Sequence, residues 1–149
     1  MHTMSTKNKK WLFIIFALLA IVMTACSQLA SEGTAVSQLT QNSDGYTDIT
    51  VDHLADILKD KDFTFVNVHI PYAGDIPQTD LSIPFDQIDA NLSQLPADRD
   101  APIVLYCRSG NMSTQAAETL VNMGYTNIME VDGGMNAWQA AGNKLVKNQ

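Results

Sequence analysis

The fold prediction starts from residues 103–113, Ile-Val-Leu-Tyr-Cys-Arg-Ser-Gly-Asn-Met-Ser. In this stretch a strand pattern is followed directly by the start of a helix. Four consecutive apolar residues at its beginning are typical of a strand that is buried on both faces of a parallel sheet. Ser113 is a favourable N-cap residue, and apolar residues at helical spacing follow it until Gly124. The stretch therefore predicts a buried strand over 103–106, a short loop, and a helix over 113–123.

Strand and helix patterns also alternate on both sides of this stretch. Runs rich in apolar and β-branched residues predict four further strands, and segments with apolar residues three or four apart predict three further helices. This alternation predicts an α/β fold in which helices cover both faces of a parallel sheet. The predicted strands are 46–50, 63–68, 81–83 and 128–131, and the predicted helices are 50–59, capped by Thr50, 85–95 and 136–141.

Cys107 follows the predicted strand directly, at the sheet edge where ligands bind in open parallel sheets. Gly110 and Asn111 can adopt left-handed backbone geometry, so the loop can turn its N–H groups towards an anion. The positive end of the next helix and the charge of Arg108 would add to this effect and lower the thiol pKa. We expect Cys107 to be a nucleophile. The alternative is a buried cysteine that only packs at a strand end.

The N-terminal 25 residues have the pattern of a secretory signal. Lys7, Lys9 and Lys10 precede thirteen apolar residues, 11–23, which at 1.5 Å each span about 20 Å and are short for a permanent membrane span. The next three residues complete Met-Thr-Ala-Cys at 23–26, which resembles a bacterial lipobox. We therefore expect an exported lipoprotein, anchored by lipid on Cys26 to the extracytoplasmic side of a bacterial membrane. Ordinary cleavage, with Cys26 left as a free thiol, is the alternative.

Three segments follow from this pattern. Residues 1–25 are the expected signal peptide, and 26–45, which are polar and without apolar periodicity, are the expected flexible tether. Residues 46–146 are the expected folded domain.

The charge of the expected mature chain argues against nucleic acid as a partner. The whole chain has nine Lys and Arg residues and 16 Asp and Glu residues. Residues 1–25 contain three of the basic residues and none of the acidic ones. Residues 26–149 therefore have six basic and 16 acidic residues, a formal charge of −10. Such an acidic protein repels phosphate backbones, and we expect no nucleic-acid binding. His53, His69 and Cys107 show no metal-binding spacing, so neither a metal site nor a cofactor is expected.

Two motifs resemble those of rhodanese domains. Residues 105–113, read with Ala116 and Ala117, are similar to the family's active-site segment, and Val-Asp-Gly-Gly-Met-Asn-Ala-Trp at 131–138 is similar to its double-glycine segment. The resemblance implies a five-stranded parallel sheet over about residues 46–146. It also implies that Cys107 carries sulfane sulfur as a persulfide, taken from thiosulfate or a persulfide donor and passed to a thiol or cyanide. The implied active-site loop consists of Arg108, Ser109, Gly110, Asn111, Met112 and Ser113.

The chain departs from the family pattern at three places. Met112 stands where many members have Arg or another polar residue, and Asn-Val-His at 67–69 stands where they have Asp-Val-Arg. Residues 71–83 lack the usual Gly-His-Ile-Pro and offer Gly-Asp-Ile-Pro at 74–77 and Ser-Ile-Pro at 82–84 instead. Asn67 and His69 are candidate accessory residues. His69 directly follows the predicted strand 63–68, which places it at the same sheet edge as Cys107 as a candidate proton partner or anion contact; a solvated loop histidine is the alternative. These changes also leave open a second function, a non-catalytic rhodanese-like binding module at the cell envelope.

A phosphatase is disfavoured by the length of the loop. The related phosphatases and arsenate reductases have a loop that is one residue longer and ends in Arg. Here six residues run from Cys107 to Met112, and no Arg follows them. The shorter loop favours attack on sulfur.

Overall fold

The computed structural model describes residues 39–147, and the expected signal peptide, Cys26 and most of the expected tether lie outside them. No helix within 39–147 is long and apolar enough to cross a membrane. The strands are β1 (Thr47–Ile49), β2 (Thr64–Asn67), β3 (Leu81–Ser82), β4 (Ile103–Tyr106) and β5 (Ile128–Val131), and the α-helices are α1 (Val51–Ile57), α2 (Asn111–Asn122) and α3 (Gly134–Ala140). Three short 3-10 segments add to these: Leu58–Asp60, Phe85–Gln87 and Asp89–Gln94.

The five strands form one parallel sheet in the order β1-β5-β4-β2-β3. β4 lies at the centre, where Val104 pairs with Phe65 of β2 on one side and with Met129 of β5 on the other. All four residues of β4 are buried, as the apolar run predicts for a central parallel strand. The predicted α/β fold with a five-stranded parallel sheet is confirmed.

Each face of the sheet has its own buried cluster. On one face, Leu105 and Ile128 pack with Ala116, Ala117 and Leu120 of α2. Alternate residues of the strands point to the opposite face, where Phe65, Val104 and Tyr106 pack with Leu54 of α1 and with Met135 and Trp138 of α3. Helices therefore cover both faces, as predicted.

The start of α2 differs from the prediction. The helix begins at Asn111, and its N-cap is Gly110, which has a φ of 104° that glycine tolerates best. Ser113 is not the N-cap; it lies inside the first turn and is fully buried. Its hydroxyl faces Cys107 instead of capping the helix. Thr50, by contrast, caps α1 as predicted, because its hydroxyl accepts from the His53 N–H at 3.2 Å.

The predicted helix over 85–95 is not a continuous α-helix. Two 3-10 segments replace it, with a non-helical Asn91 (φ −115°, ψ 20°) inside the second. The Asn91 side chain donates to the Gln87 carbonyl at 2.7 Å, and such local bonds compete with regular helix formation. Ile88 and Leu95 are still buried, so the apolar pattern reported the buried face correctly.

The last residues of the expected tether are held against the domain. Gln41 donates to the Thr126 carbonyl at 2.9 Å, and the Asn42 N–H donates to the Tyr46 carbonyl at 2.7 Å. Residues 41 and 42 of the expected tether are therefore fixed to the domain by hydrogen bonds.

Candidate active site

Cys107 lies directly after β4, in the middle of the carboxyl edge of the sheet, and is 1% exposed. The Gly110 N–H donates to its Sγ at 3.1 Å, and the Ser113 hydroxyl lies 3.3 Å from the same sulfur. The positive φ of Gly110 turns the chain so that this N–H points inward at the start of α2. The loop thus surrounds the sulfur with hydrogen-bond donors.

These donors change the acidity of the thiol. Burial of Cys107 disfavours the thiolate, but hydrogen bonds from the Ser113 side chain and from the N–H groups of Ser109, Ser113 and Gly110 together lower the pKa of Cys107 below its ordinary value. A lower pKa means a larger thiolate fraction near neutral pH, and the thiolate is the nucleophile. The site can therefore perform nucleophilic chemistry at Cys107.

The double-glycine segment is followed by N–H groups that donate hydrogen bonds to the backbone of this loop. The Met135 N–H donates to the Cys107 carbonyl at 2.9 Å, and the Asn136 N–H donates to the Arg108 carbonyl at 3.0 Å. Gly134 (φ 51°) lies so close that an added Cβ would stand 2.2 Å from the Cys107 carbonyl oxygen. The free N–H groups at the start of α3 therefore hold the Cys107 backbone, and the sequence signal for this contact was the glycine pair before a helix.

Glu130 was not identified from the sequence, although it lies at the site. Its side chain, on β5, is 2% exposed, and its Oε1 is 2.5 Å from Ser113 Oγ. Burial, reinforced by the negative charges of Asp132 and Asp48, raises the pKa of Glu130 to about 7 against the opposing hydrogen bond from Ser113. The available signal was a charged residue inside an otherwise apolar strand.

Arg108 and His69 both lie at the carboxyl edge of the sheet, Arg108 after β4 and His69 after β2. Arg108, Ser109 and Asn111 are exposed, and His69, after β2, is half-buried. Burial and, to a smaller extent, the charge of Arg108 lower the pKa of His69. Its Nδ1 is buried and has no hydrogen-bond partner among residues 39–147. His69 is thus brought to the same edge as the Cys107 loop, as predicted from its position after a strand.

Asn67 contacts the loop after β2 instead of the sulfur. Its amide donates to the Gly74 carbonyl at 3.0 Å and to Asp75 Oδ1 at 2.9 Å, while its oxygen accepts from the His69 N–H at 3.0 Å. Asp75 is buried and also accepts from the Tyr72 hydroxyl at 2.7 Å. Two of the departures from the family pattern, Asn67 and Asp75, therefore pair with each other and fix the backbone of His69.

Met112 does not contribute to the polar lining of the loop. It lies in the first turn of α2, is half-buried, and packs against the apolar cluster on that face of the sheet. The donors to Cys107 come from Ser109, Gly110 and Ser113. Met112 therefore leaves these donors in place.

The chain is similar to known sulfurtransferases and rhodanese-like proteins. A protein of Allochromatium vinosum called a sulfurtransferase is 36% identical over 89 residues, which cover 58% of this chain and 80% of that protein. The thiosulfate sulfurtransferase GlpE of Pseudomonas savastanoi is 46% identical over 44 residues, which cover 30% of this chain and 42% of that protein. The crystal structure of a rhodanese-like domain protein from Staphylococcus aureus superposes with a TM-score of 0.58 and 30% identity, over 68% of this chain and 98% of that one.

The family comparison covers the folded part of the chain. The rhodanese-like domain matches residues 36–141, which is more than half of the sequence and includes Cys107, Glu130 and the double-glycine segment. The two motifs from which the family was expected therefore lie inside the match. The chain belongs to the rhodanese-like domain family.

Proposed function

We propose that this protein is a sulfurtransferase in which Cys107 carries sulfane sulfur as a persulfide. The observation that supports this most directly is the pair of donors on Cys107 Sγ, the Gly110 N–H and the Ser113 hydroxyl. Donors in these positions stabilise a thiolate before the reaction and a persulfide anion after it. The names of the sulfurtransferase relatives agree with this chemistry.

The reaction has two half-reactions. The Cys107 thiolate attacks the outer sulfur of a donor; with thiosulfate, a Cys107–sulfur bond forms, the sulfur–sulfur bond of the donor breaks, and sulfite leaves with the bonding electron pair. A thiolate or cyanide then attacks the outer sulfur of the persulfide, and the Cys107 thiolate leaves. The result is ping-pong kinetics. The N–H groups of residues 108–112 and the positive end of α2 stabilise the anionic donor and the persulfide.

Mass measurement tests the persulfide. The protein is incubated with thiosulfate or polysulfide and weighed, with Cys107→Ser as the matched control. The expected result is a gain of one sulfur atom, about 32 Da, which is lost on addition of a thiol and absent from the variant. Absence of an adduct with every sulfane donor would contradict the proposal. It would favour the alternative, a non-catalytic binding module that presents its anionic cleft or surface to another protein.

We also propose that the protein is exported and anchored through lipid on Cys26. The support is the basic start, the apolar run and Met-Thr-Ala-Cys at residues 23–26. The intact mass of the native protein tests it. A mature chain that begins at Cys26 and carries added acyl mass is expected, and the same chain without acyl mass would contradict the lipid anchor.

A further inference from the structure

The carboxyl group of Glu130 lies beneath the Cys107 loop. The two half-reactions of the proposed sulfur transfer give this carboxyl group no role. On β5 it shares a face with Ile128, two residues earlier, which packs against α2. Its Oε1 is 2.5 Å from Ser113 Oγ and would be 3.8 Å from a Cβ added to Gly110. The carboxyl group therefore reaches the side of the loop that holds the sulfur.

The charged surroundings of Glu130 disfavour its ionised form. The charged groups that act on it are Asp48, paired with it across β1 and β5, and Asp132, which follows β5, and both are negative. The salt bridges among residues 39–147 are Lys59–Asp56 and Lys61–Asp80, so none of them includes Glu130. A buried carboxylate without a cation holds a proton more tightly than one in water.

Ser113 connects this carboxyl group to the sulfur. Its hydroxyl oxygen lies 2.5 Å from Glu130 Oε1, 3.0 Å from the Gly110 carbonyl oxygen and 3.3 Å from Cys107 Sγ. A serine hydroxyl has one proton to donate and two lone pairs to accept with. It donates to a carboxylate when Glu130 is ionised. When Glu130 is protonated, the serine oxygen can accept from the carboxylic acid and its own proton can go to a Cys107 thiolate.

We propose that Glu130 is a positioning residue for the Cys107 proton, which it takes up through Ser113 and returns when the persulfide is discharged. This inference rests on the proposed function. Before attack on the donor, the Cys107 thiol proton moves to the Ser113 oxygen while the serine proton moves to Glu130, so a thiolate and a neutral carboxylic acid replace a thiol and a carboxylate. In the discharge step, an acceptor such as cyanide takes the outer sulfur as thiocyanate. As the sulfur–sulfur bond of the persulfide breaks, the proton returns through Ser113 to the departing Cys107 sulfur, which leaves Glu130 ionised and the enzyme in its first state.

The dependence of Cys107 alkylation on pH tests the coupling without any sulfur donor. In the wild type, the negative charge of an ionised Glu130 disfavours the Cys107 thiolate. The rate of alkylation by iodoacetamide should therefore rise with pH in two steps. In Glu130→Gln, the amide can donate to Ser113 as the carboxylic acid does, and a single step is expected about one pH unit below the upper wild-type step. Ser113→Ala removes a donor to the sulfur and should move the rise to higher pH. Glu118→Gln, at an exposed glutamate of α2, is the matched control and should follow the wild type.

The discharge step provides a second measurement. The enzyme is loaded with sulfur, mixed with cyanide, and followed by mass. Glu130→Gln cannot return a proton, so we expect its discharge to be about tenfold slower or more, with a smaller solvent deuterium isotope effect than in the wild type. An unchanged alkylation profile or an unchanged discharge rate in Glu130→Gln would overturn the proposal. If Cys107 takes up no sulfur from any donor, the proposed function fails, but the alkylation profile still decides whether Glu130 and Cys107 share a proton.

Discussion

Gly134 lies against the carbonyl group of Cys107 so closely that a Cβ in place of its hydrogen would stand 2.2 Å from that oxygen. The contact joins the two motifs of the family, since the start of α3 also donates to the Cys107 and Arg108 carbonyls. The second motif therefore determines where the first one holds its sulfur. A substitution at Gly134 should therefore displace the Cys107 backbone, although the two residues are 27 positions apart in the sequence.

Gly134→Ala should damage both stability and persulfide formation. The methyl group must push the Cys107 loop away, which we expect to cost at least about 2 kcal/mol of the free energy of unfolding, measured with urea. Gly142→Ala is the matched control: Gly142 also has a positive φ, 87°, but nothing lies within 4 Å of its added Cβ. That variant should lose only about 1 kcal/mol, from backbone strain, and keep its activity. Equal losses in the two variants would show that the contact with Cys107 is unimportant.

Arg108→Ala should weaken donor capture more than chemistry. Arg108 is exposed at the mouth of the loop, whereas the donors to the sulfur are Ser113 and backbone N–H groups. We expect the KM for thiosulfate to rise roughly tenfold, about 1.4 kcal/mol, with a smaller fall in kcat, and the difference from the wild type to shrink as salt is added. Lys59→Ala removes an exposed cation elsewhere and should change neither constant. A fall in kcat larger than the rise in KM would place Arg108 in the chemical step.

The elements of the sheet could be predicted more completely than the site. The central strand 103–106 and strand 128–131 match the structure residue for residue, because a buried strand shows in the local sequence as a short run of mostly apolar residues. The prediction that Ser113 is an N-cap is wrong: a hydroxyl at a helix start usually caps it, but here the positive φ of Gly110 begins the helix two residues earlier. The role of Glu130 at the site could not be predicted from the local sequence either. Only the register of β5 beneath α2 brings its carboxyl group to Ser113, and no local pattern reports that register.

The choice of sulfur donor tests the role of Met112. An apolar residue packed against the core replaces a charge that many family members have at this position, and Arg108 is then the cation of the loop. A dianionic donor loses more from a missing positive charge than a less charged one. We therefore expect modest activity with thiosulfate and a higher kcat/KM with a less charged donor, such as the persulfide of an uncharged small thiol. Met112→Arg should raise kcat/KM for thiosulfate, while a wild-type preference for thiosulfate would show that Met112 does not set the donor.

The pH dependence of stability tests the burial of Glu130 independently of sulfur chemistry. Folding raises the pKa of Glu130 from its ordinary 4.5 to about 7, mainly through burial, so the folded state retains a proton that the unfolded chain releases. The associated stability is complete below pH 4.5 and is lost as the pH rises towards about 7, by at most about 1.4 kcal/mol per pH unit. Glu130→Gln has no proton to lose there. Its free energy of unfolding, measured with urea from pH 4.5 to 7, should therefore increase relative to the wild type as the pH rises, while Glu118→Gln should run parallel to the wild type. A constant difference between Glu130→Gln and the wild type across this range would mean that the carboxyl group is ionised in the folded protein.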